Sequence, residues 1–494
     1  MQYHSTRDNA VCVTAARAIT QGISKDGGLF VPESFPPLSA QEVDSLVNCS
    51  YVERATYVLS KYLTDFTQEE VKACAEAAYS LERFRDPAIA PLRTLHDNTH
   101  ILELWHGPTC AFKDMALQIL PHLMRVSAEK TSDGKEIVIL VATSGDTGKA
   151  ALEGFRDAPH TRILVFYPED GVSPMQKLQM VTQEGENVSV CAIRGNFDDA
   201  QTGVKTIFTD PAVADMLAQN GMMFSSANSI NWGRLVPQIV YYVSAYCDLL
   251  REEKIALGDT VNVCVPTGNF GNILAAYYAK EMGVPIGKLI CASNSNNVLT
   301  DFIRTGCYDR NRTFHNTMSP SMDILISSNL ERLLYALTQD ADEVKGYMEQ
   351  LAATGRYEVR EKIRSGLQKL FCGYCCDDAE TQKVIRRVHD AHGYLIDPHT
   401  AVAFSALEQY RAESGDQTPC IVVSTASPFK FCDSVLGALG ETEIAQGLDV
   451  LDQLSETSGL PAPVPLASLR SKKIRFTGVV EKENMVDAVL SMLE

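Results

Sequence analysis

Six short runs of β-branched residues constrain the fold most, because each ends in a glycine or polar turn and leads into a helical segment. The runs lie at residues 137–143, 162–168, 187–193, 261–267, 288–294 and 420–426. Strands that alternate with helices in this way usually form parallel sheets with crossover helices. Because an amphipathic helical segment separates the first three runs from the last three, the pattern predicts an α/β protein with two parallel or mixed sheets flanked by helices.

The spacing of apolar residues divides the chain further. Before residue 92 it is mostly helical, which predicts an N-terminal, mainly helical domain over residues 1–92. The strand runs then predict a large α/β domain made of 93–130 and 225–494, and a small α/β domain over 131–224. The segment 221–246, with Pro237 inside its helical part, is interpreted as the crossover between these two domains.

Composition excludes several classes of partner. The chain has 494 residues, with 44 basic and 62 acidic side chains and a formal net charge of −18, and no basic stripe that would attract nucleic acid or an anionic membrane. No apolar run approaches the roughly 18 to 20 residues of a membrane span, and the first residues lack a secretory layout. The 14 scattered cysteines favour reduced thiols. We therefore expect a soluble cytoplasmic protein, monomeric or homodimeric.

Lys113 lies in the run HGPTCAFKDMALQ, between a turn and a segment with apolar residues at helical spacing. A lysine at a helix start is usually a solvated side chain. At a loop-to-helix junction, however, its amine can be partly desolvated and its pKa lowered, so that it acts as a nucleophile and a general base.

The run VATSGDTGKAALEGF reads as a strand, a small polar loop and a helix. Hydroxyl and N–H groups at a helix N-terminus would suit a carboxylate, and the loop contains Thr143, Ser144, Gly145, Asp146 and Thr147. A nucleotide-binding P-loop fails on spacing. With Gly148 and Lys149 as its last glycine and lysine, its first glycine would fall at Thr143 and its hydroxyl at Ala150. An ordinary capped strand-helix junction remains the alternative.

The run CVPTGNFGNILAAYYAK is a second junction of this kind. Gly268 and Gly271 would let the main chain approach an anion closely, and Asn269 and Asn272 could add donors, although the full GxGxxG dinucleotide pattern is lacking. A phosphate loop and a reactive lysine together suit pyridoxal phosphate, because its aldehyde binds a lysine and its phosphate needs N–H donors.

Three further features bear on the site. Thr425 ends a predicted strand and could present a hydroxyl to a ring nitrogen, although a lone threonine there is normally a cap or turn residue. The cluster CGYCC at 372–376 is assigned to a charged, helical region and lacks a second ligand pair, so no metal is expected. The histidines His389, His392 and His399 are interpreted as turn and surface residues.

Taken together, these motifs resemble the fold-type II pyridoxal phosphate enzymes and, within them, the threonine synthase family. The resemblance includes the lysine motif at 106–118, the SGDTG loop, the PTGNFGN loop and the stretches 5–36, 167–188, 225–234 and 319–335. It spans almost the whole chain in order.

The resemblance implies a role for each matching residue. Lys113 would carry the cofactor as a Schiff base, and Thr425 would face the pyridine nitrogen. Gly268, Asn269, Phe270, Gly271 and Asn272 would wrap the cofactor phosphate. The substrate carboxylate would bind Thr143, Ser144, Gly145, Asp146 and Thr147, and the substrate phosphate Asn231 and Arg234. The loop for the substrate carboxylate and the loop for the cofactor phosphate belong to different sheets, so closure of the domains is expected.

The implied reaction converts O-phosphohomoserine and water to L-threonine and phosphate, the last step of threonine biosynthesis. The chain departs from the family pattern at Ser427 and Phe429, where histidine and alanine are usual, and at Lys149 and Cys110. The alternative is a related phospho-lyase that releases 2-oxobutyrate, ammonia and phosphate from the same substrate. A non-catalytic homologue would not need the full set of motifs.

Overall fold

The computed structural model describes residues 1–96, 98–131, 134–143, 145–170 and 172–493. Ser144, one of the predicted carboxylate-binding residues, lies outside these ranges. The strands are β1 (Tyr3–Ser5), β2 (Asp8–Val13), β3 (Phe30–Pro32), β4 (Leu92–His96), β5 (Thr99–Glu103), β6 (Glu136–Ala142), β7 (Thr161–Pro168), β8 (Val188–Arg194), β9 (Met222–Ser225), β10 (Val261–Pro266), β11 (Ile286–Ser293), β12 (Cys307–Asp309), β13 (Arg356–Glu358), β14 (Phe371–Cys375), β15 (Cys420–Ser424) and β16 (Val479–Glu481).

Helices fill most of the chain between the strands. They are α1 (Ala15–Gln21), α2 (Ala40–Leu46), α3 (Tyr51–Tyr62), α4 (Gln68–Ala78), α5 (Asp114–Leu117), α6 (Leu120–Thr131), α7 (Asp146–Phe155), α8 (Pro174–Val181), α9 (Phe197–Thr209), α10 (Pro211–Gln219), α11 (Trp232–Arg251), α12 (Gly271–Met282), α13 (Val298–Thr305), α14 (Leu330–Thr338), α15 (Ala341–Thr354), α16 (Glu361–Leu370), α17 (Asp378–His392), α18 (Pro398–Ser414), α19 (Cys432–Leu439), α20 (Asp449–Ser458), α21 (Val464–Ala467) and α22 (Met485–Leu493). Across the described residues, none of these helices combines the length and the apolar character that a membrane crossing requires.

The N-terminal region is mainly helical, as predicted. Helices α2, α3 and α4 each begin with a reciprocal pair of hydrogen bonds between a Ser or Thr cap and a Glu three residues later, which satisfies main-chain donors at the helix start. A small antiparallel sheet in the order β2-β1-β3, which the sequence did not predict, lies before them.

The large sheet has the order β14-β11-β10-β15-β5-β4. Its strands pair in parallel, except for the antiparallel pair β4 and β5. Strands β5, β10 and β15 are buried along their whole length, as expected for strands covered on both faces by helices. Their carboxyl ends meet at one edge, which is where ligands bind in open α/β sheets.

The small sheet has the order β16-β8-β7-β6-β9, with all neighbours parallel. All six predicted strands are present, with ends within two residues of the predicted ones.

Residues 225–494 were predicted to belong to the large domain, but β16 pairs with β8, and Met485 and Val489 of α22 pack in the core of the small sheet. The final segment therefore returns to the small domain, and this boundary is corrected.

The cysteine cluster at 372–376 is also corrected. Residues 371–375 form the edge strand β14, which pairs in parallel with β11, and not a helix. Among the described residues no group of three or more His, Cys, Asp or Glu side chains could hold a metal ion.

Helix α11 lies between β9 of the small sheet and β10 of the large sheet and is buried from Trp232 to Leu249. One ion pair fastens it to the N-terminal region, because Arg54 Nη1 on α3 lies 2.7 Å from Asp248 Oδ1 on α11. Both side chains are at least 96 % buried. Arg54 also donates to the main-chain oxygen of Leu46 and to Ser244 Oγ.

Replacing Asp248 with alanine should destabilise the protein strongly, because it leaves the Arg54 guanidinium buried without its carboxylate. We expect the free energy of unfolding to fall by about 3–5 kcal/mol. The control Asp452→Ala removes an exposed ion pair with Arg470, which should contribute less than about 1 kcal/mol. Urea unfolding followed by circular dichroism measures both changes, and equal shifts would contradict the structural role assigned to Arg54 and Asp248.

Candidate active site

Lys113 lies directly before α5, where the chain pairs with the residues that follow β15. The Phe112 N–H donates to the Thr425 oxygen over 2.8 Å, and the Ser427 N–H donates to the Cys110 oxygen over 3.0 Å. These bonds hold Lys113 beside the carboxyl end of β15, so Lys113 and Thr425 belong to one site. The Thr425 side chain is buried there.

The Lys113 amine lies in a confined, charged environment. Its side chain is only 11 % exposed, and its Nζ lies 3.8 Å from Asp146 Oδ2 and 3.5 Å from Ser321 Oγ. Burial lowers its pKa, Asp146 acts in the opposite direction, and Lys430 and Arg234 lower the pKa further. The amine therefore loses its proton at a lower pH than a solvated lysine does, which favours a nucleophile or base.

The main chain of the predicted carboxylate loop is hydrogen-bonded to the hydroxyl group of Thr143. Thr143 Oγ1 accepts hydrogen bonds from the Gly145 N–H at 3.0 Å and the Gly148 N–H at 2.9 Å, immediately before and within the first turn of α7. Gly145 has φ of +152°, and a Cβ there would lie 2.5 Å from Gln176 Nε2, so a larger residue does not fit. Thr147 is half-buried in the first turn of α7.

The Asp146 carboxylate points at lysines of the large domain. Its Oδ1 lies 2.6 Å from Lys430 Nζ and accepts a hydrogen bond from Gln176 Nε2 at 3.1 Å. Although burial acts to raise the pKa of Asp146, Lys430 and Lys113 hold it below its usual value. Because the side chain is occupied, an anion at this loop would contact the main-chain N–H of Asp146.

The glycine loop follows β10 and opens α12, whose first N–H groups have no partner within the helix. A Cβ at Gly268 would lie 2.7 Å from the Ser321 oxygen, and Phe270 adopts a left-handed conformation with φ of +64°. The Asn269 oxygen accepts from the Asn329 N–H at 3.0 Å. Gly271 is buried at the first position of α12. The contacts of Gly268 and Asn269 thus fix the conformation of the loop, and the N-terminus of α12 that follows it could bind an anion.

Two buried donors near this loop have no partner among the described residues. Asn272 Oδ1 accepts from Tyr241 and Tyr242, but its Nδ2 is unsatisfied, and so is Nε of Arg234. Buried polar groups are normally paired, so these two donors could bond an acceptor such as a phosphate. Burial lowers the pKa of Arg234 to about 10, which leaves it charged at neutral pH.

Asn231 differs from the other predicted ligands. Its Nδ2 donates to the oxygens of Ile19 and Ser226, and its Oδ1 accepts from the Gly233 N–H at the start of α11. These bonds make Asn231 the N-cap of the helix that carries Arg234. Its predicted contact with substrate stays a prediction, and the observed bonds favour a positioning role.

His399 was interpreted as a surface residue, and this is wrong. The side chain is 2 % exposed, its Nδ1 lies 2.6 Å from Asp397 Oδ2, and its Nε2 accepts from the Ser321 N–H at 3.1 Å. Asp397 is the N-cap of α18. His399 therefore holds the turn at Pro320–Met322 that places Ser321 between Lys113 and Gly268.

The sequence analysis missed Lys430 and Ser321 as site residues. Lys430 lies five residues after Thr425 in the same loop, so its position in the run STASPFKF was an available signal. Ser321 had no local signal, because it reaches Lys113 through a turn some 200 residues later in the chain.

The arrangement brings a desolvated amine between two helix N-termini, with a buried arginine nearby. The amine could form or replace a bond to a carbonyl carbon and could also move a proton. The helix ends and Arg234 could hold anionic groups on either side of it. This site suits a phosphorylated carbonyl cofactor together with an anionic substrate.

Comparison with known families agrees with this chemistry. Residues 2–79 match the model described as threonine synthase N terminus, residues 90–426 the pyridoxal-phosphate dependent enzyme model, and residues 400–490 the threonine synthase C-terminal model. The second model alone covers more than half of the chain.

Individual relatives extend the match. The chain is 43 % identical to mouse threonine synthase-like 1 over 460 residues, which cover 91 % of this chain and 61 % of that protein. It is 39 % identical to Pseudomonas aeruginosa threonine synthase, covering 88 % of this chain and 90 % of the relative. Among solved structures, PLP-bound threonine synthase from Brucella melitensis matches with a TM-score of 0.88 and 36 % identity, over 100 % of this chain and 99 % of that one.

The fold and the site define a pyridoxal-phosphate-dependent enzyme of fold type II. Within that class, the chain belongs to the threonine synthase family. It spans about three fifths of the length of the threonine synthase-like 1 relatives that it matches.

Replacing Gly268 with alanine should weaken binding of pyridoxal phosphate by at least about tenfold, or about 1.4 kcal/mol. The added Cβ would clash with the main-chain oxygen of Ser321 and displace the loop. The control Gly346→Ala adds a Cβ in open space on α15 and should leave cofactor affinity unchanged. Titration of the apo-protein with cofactor measures both, and wild-type affinity in Gly268→Ala would argue against a phosphate site at this loop.

Proposed function

We propose that the protein is a threonine synthase, which converts O-phosphohomoserine and water to L-threonine and phosphate. The cofactor is pyridoxal phosphate. The observation that carries the proposal is the desolvated Lys113 amine between the α7 and α12 N-termini, in a chain 34–39 % identical to bacterial and yeast threonine synthases.

The residues around Lys113 fit the cofactor. The loop from Gly268 to Asn272 would hold its phosphate, Thr425 would face its ring nitrogen, and Lys113 would bind its aldehyde carbon. When bound, the cofactor binds the substrate amine and stabilises negative charge on the substrate carbons. A hydroxyl partner at Thr425, in place of a carboxylate, would leave the ring nitrogen largely unprotonated and so limit side reactions.

Lys113 Nζ is the base in this proposal. The reaction requires removal of protons at Cα and Cβ, loss of phosphate from Cγ, protonation at Cγ, addition of the hydroxyl of water at Cβ and return of a proton to Cα. An amine whose pKa is lowered by burial and by neighbouring cations is unprotonated at a lower pH than a solvated lysine, so it can more readily accept a proton and return it. Ser321 Oγ, 3.5 Å from Lys113 Nζ, offers the protonated amine an acceptor.

The two anionic ends of the substrate would bind on different domains. The α7 loop, with Thr143, Ser144, Gly145, Asp146 and Thr147, would hold the carboxylate through main-chain N–H and hydroxyl groups. Arg234 would hold the substrate phosphate, on a helix start capped by Asn231. Binding at both ends would fix Cα near Lys113 and exclude water until the last step.

We also place the protein in the cytoplasm, as a monomer or homodimer that acts on a small molecule and on neither nucleic acid nor membranes. Its net charge of −18 supports the absence of polyanionic partners. The cysteines that the structure describes are free, and free cysteines support a cytoplasmic location because that compartment keeps thiols reduced.

Incubation of the holoenzyme with O-phosphohomoserine should release phosphate and threonine in equal amounts, with little 2-oxobutyrate or ammonia. Equal amounts of 2-oxobutyrate and phosphate without threonine would instead identify a phospho-lyase. Ser427 is the residue to which we would attribute that outcome, because it stands where the family usually has histidine. Its N–H donates to the Cys110 oxygen, in the loop that carries Lys113.

Lys113→Ala is the negative variant in this assay, and it should lose at least about 10³-fold in turnover together with the visible absorbance of the lysine-bound cofactor. Lys383→Ala, which removes an exposed lysine on α17, is the matched control and should behave as wild type. Retained turnover in Lys113→Ala would contradict the assignment of the base.

A further inference from the structure

One buried carboxylate lies between two buried lysines at the contact of the small and large domains. The Lys430 side chain is fully buried, and its Nζ lies 2.6 Å from Asp146 Oδ1 and 3.0 Å from the Thr109 oxygen. Lys113 Nζ is farther away, at 3.8 Å from Asp146 Oδ2. The carboxylate is therefore bonded to Lys430 and only approaches Lys113.

This unequal sharing matters for the reactivity of Lys113. A carboxylate in hydrogen-bond contact with a buried amine stabilises the protonated form, which is not a nucleophile. If Asp146 bonded Lys113 fully, the amine would lose its proton only at a higher pH. Lys430 opposes this in two ways, because it occupies one carboxylate oxygen and adds a second positive charge near Lys113.

We propose that Lys430 is a positioning residue that holds the Asp146 carboxylate away from Lys113 and thereby leaves the Lys113 amine free to react. This inference rests on the proposed function, in which Lys113 carries the cofactor. Lys430 acts through Asp146 and is not assigned a contact with cofactor or substrate.

The other charged groups around Lys113 are fixed by separate contacts. Asp114 accepts from the N–H and the hydroxyl of Thr109, and burial raises its pKa to about 6. Arg234 donates to the Ala227 oxygen and lowers the pKa of Lys113. Neither group bonds Asp146 or Lys430 directly, so substitution of Lys430 removes its contacts with Asp146 and with the Thr109 oxygen and leaves their hydrogen bonds in place.

The same bond also joins the domains. Asp146 lies at the first position of α7 in the small domain, while Lys430 and Thr109 belong to the large domain. The bond thus sets the position of the carboxylate loop relative to Lys113, which connects reactivity of the amine to the domain arrangement.

The chain contains a matched control for a buried lysine. Lys149 is on α7, three residues after Asp146, and its Nζ lies 3.0 Å from Glu153 Oε2 and bonds Gln183. Burial lowers the pKa of Lys149 and Glu153 opposes this change. Substitution of Lys149 therefore removes a buried cation from the same helix without releasing Asp146.

The test measures Lys113 directly in the apo-protein. Lys113 is labelled with acetic anhydride across a pH series and its modification is quantified by peptide mass spectrometry, with circular dichroism as a check of folding. Only the unprotonated amine reacts, so the midpoint of labelling reports its pKa. We expect Lys430→Met to raise this midpoint by about one pH unit or more, because Asp146 is freed to pair with Lys113 and a repelling charge is lost.

Three further variants complete the test. Lys430→Arg keeps the cation and should restore a midpoint near wild type, and Lys149→Met should leave it unchanged. The double variant Lys430→Met with Asp146→Asn removes both opposing charges and should also lie near wild type. If Lys430→Met does not fold, Lys430→Gln takes its place, and the same rise in the midpoint is expected because the Asp146 carboxylate again loses its cationic partner.

A folded Lys430→Met protein with an unchanged midpoint would overturn the inference, as would an equal rise in Lys149→Met. Because the labelling uses apo-protein and no substrate, these results are independent of which products the holoenzyme forms. A phospho-lyase outcome in the product assay would thus leave the inference standing, whereas the loss of the midpoint shift would remove it without affecting the proposed reaction.

Discussion

The site depends on the main-chain pairing between the Lys113 loop and the end of β15. Bonds from Phe112 to Thr425 and from Ser427 to Cys110 join two segments that are more than 300 residues apart in sequence. Because both segments lie at the carboxyl edge of the large sheet, the same edge also brings the β10 glycine loop to the lysine. Without this pairing, the amine and the two helix N-termini would not belong to one site.

The N-terminal region is connected to the site by hydrogen bonds of one buried arginine. Arg332, fully buried on α14, donates to the main-chain oxygens of Phe30 and Ile230 and to Asn329. Asn329 in turn binds the oxygen of Asn269 in the glycine loop. One guanidinium thus connects the N-terminal sheet, the segment before α11 and the glycine loop, which explains why a mainly helical region that contributes no predicted ligand packs so closely here.

The sequence was sufficient for the local elements and insufficient for long-range contacts. Strands such as β6 and β10 and the helices after them could be predicted because periodicity and glycine turns are local signals. The pairing of β16 with β8 could not, because a strand of only three residues, two valines and a glutamate, carries no periodic signal and acquires its conformation from a partner nearly 300 residues away. His399 and CGYCC were misassigned for the same reason, since their burial is set by tertiary packing.

The central claim is that Lys113 is the lysine that binds pyridoxal phosphate. Reduction of the holoenzyme with borohydride fixes the cofactor to its lysine, and peptide mass spectrometry then locates the pyridoxyl group. The account predicts modification of Lys113 in the segment 106–118. Modification of another lysine, above all the nearby Lys430 or Lys149, with Lys113 unmodified, would contradict it.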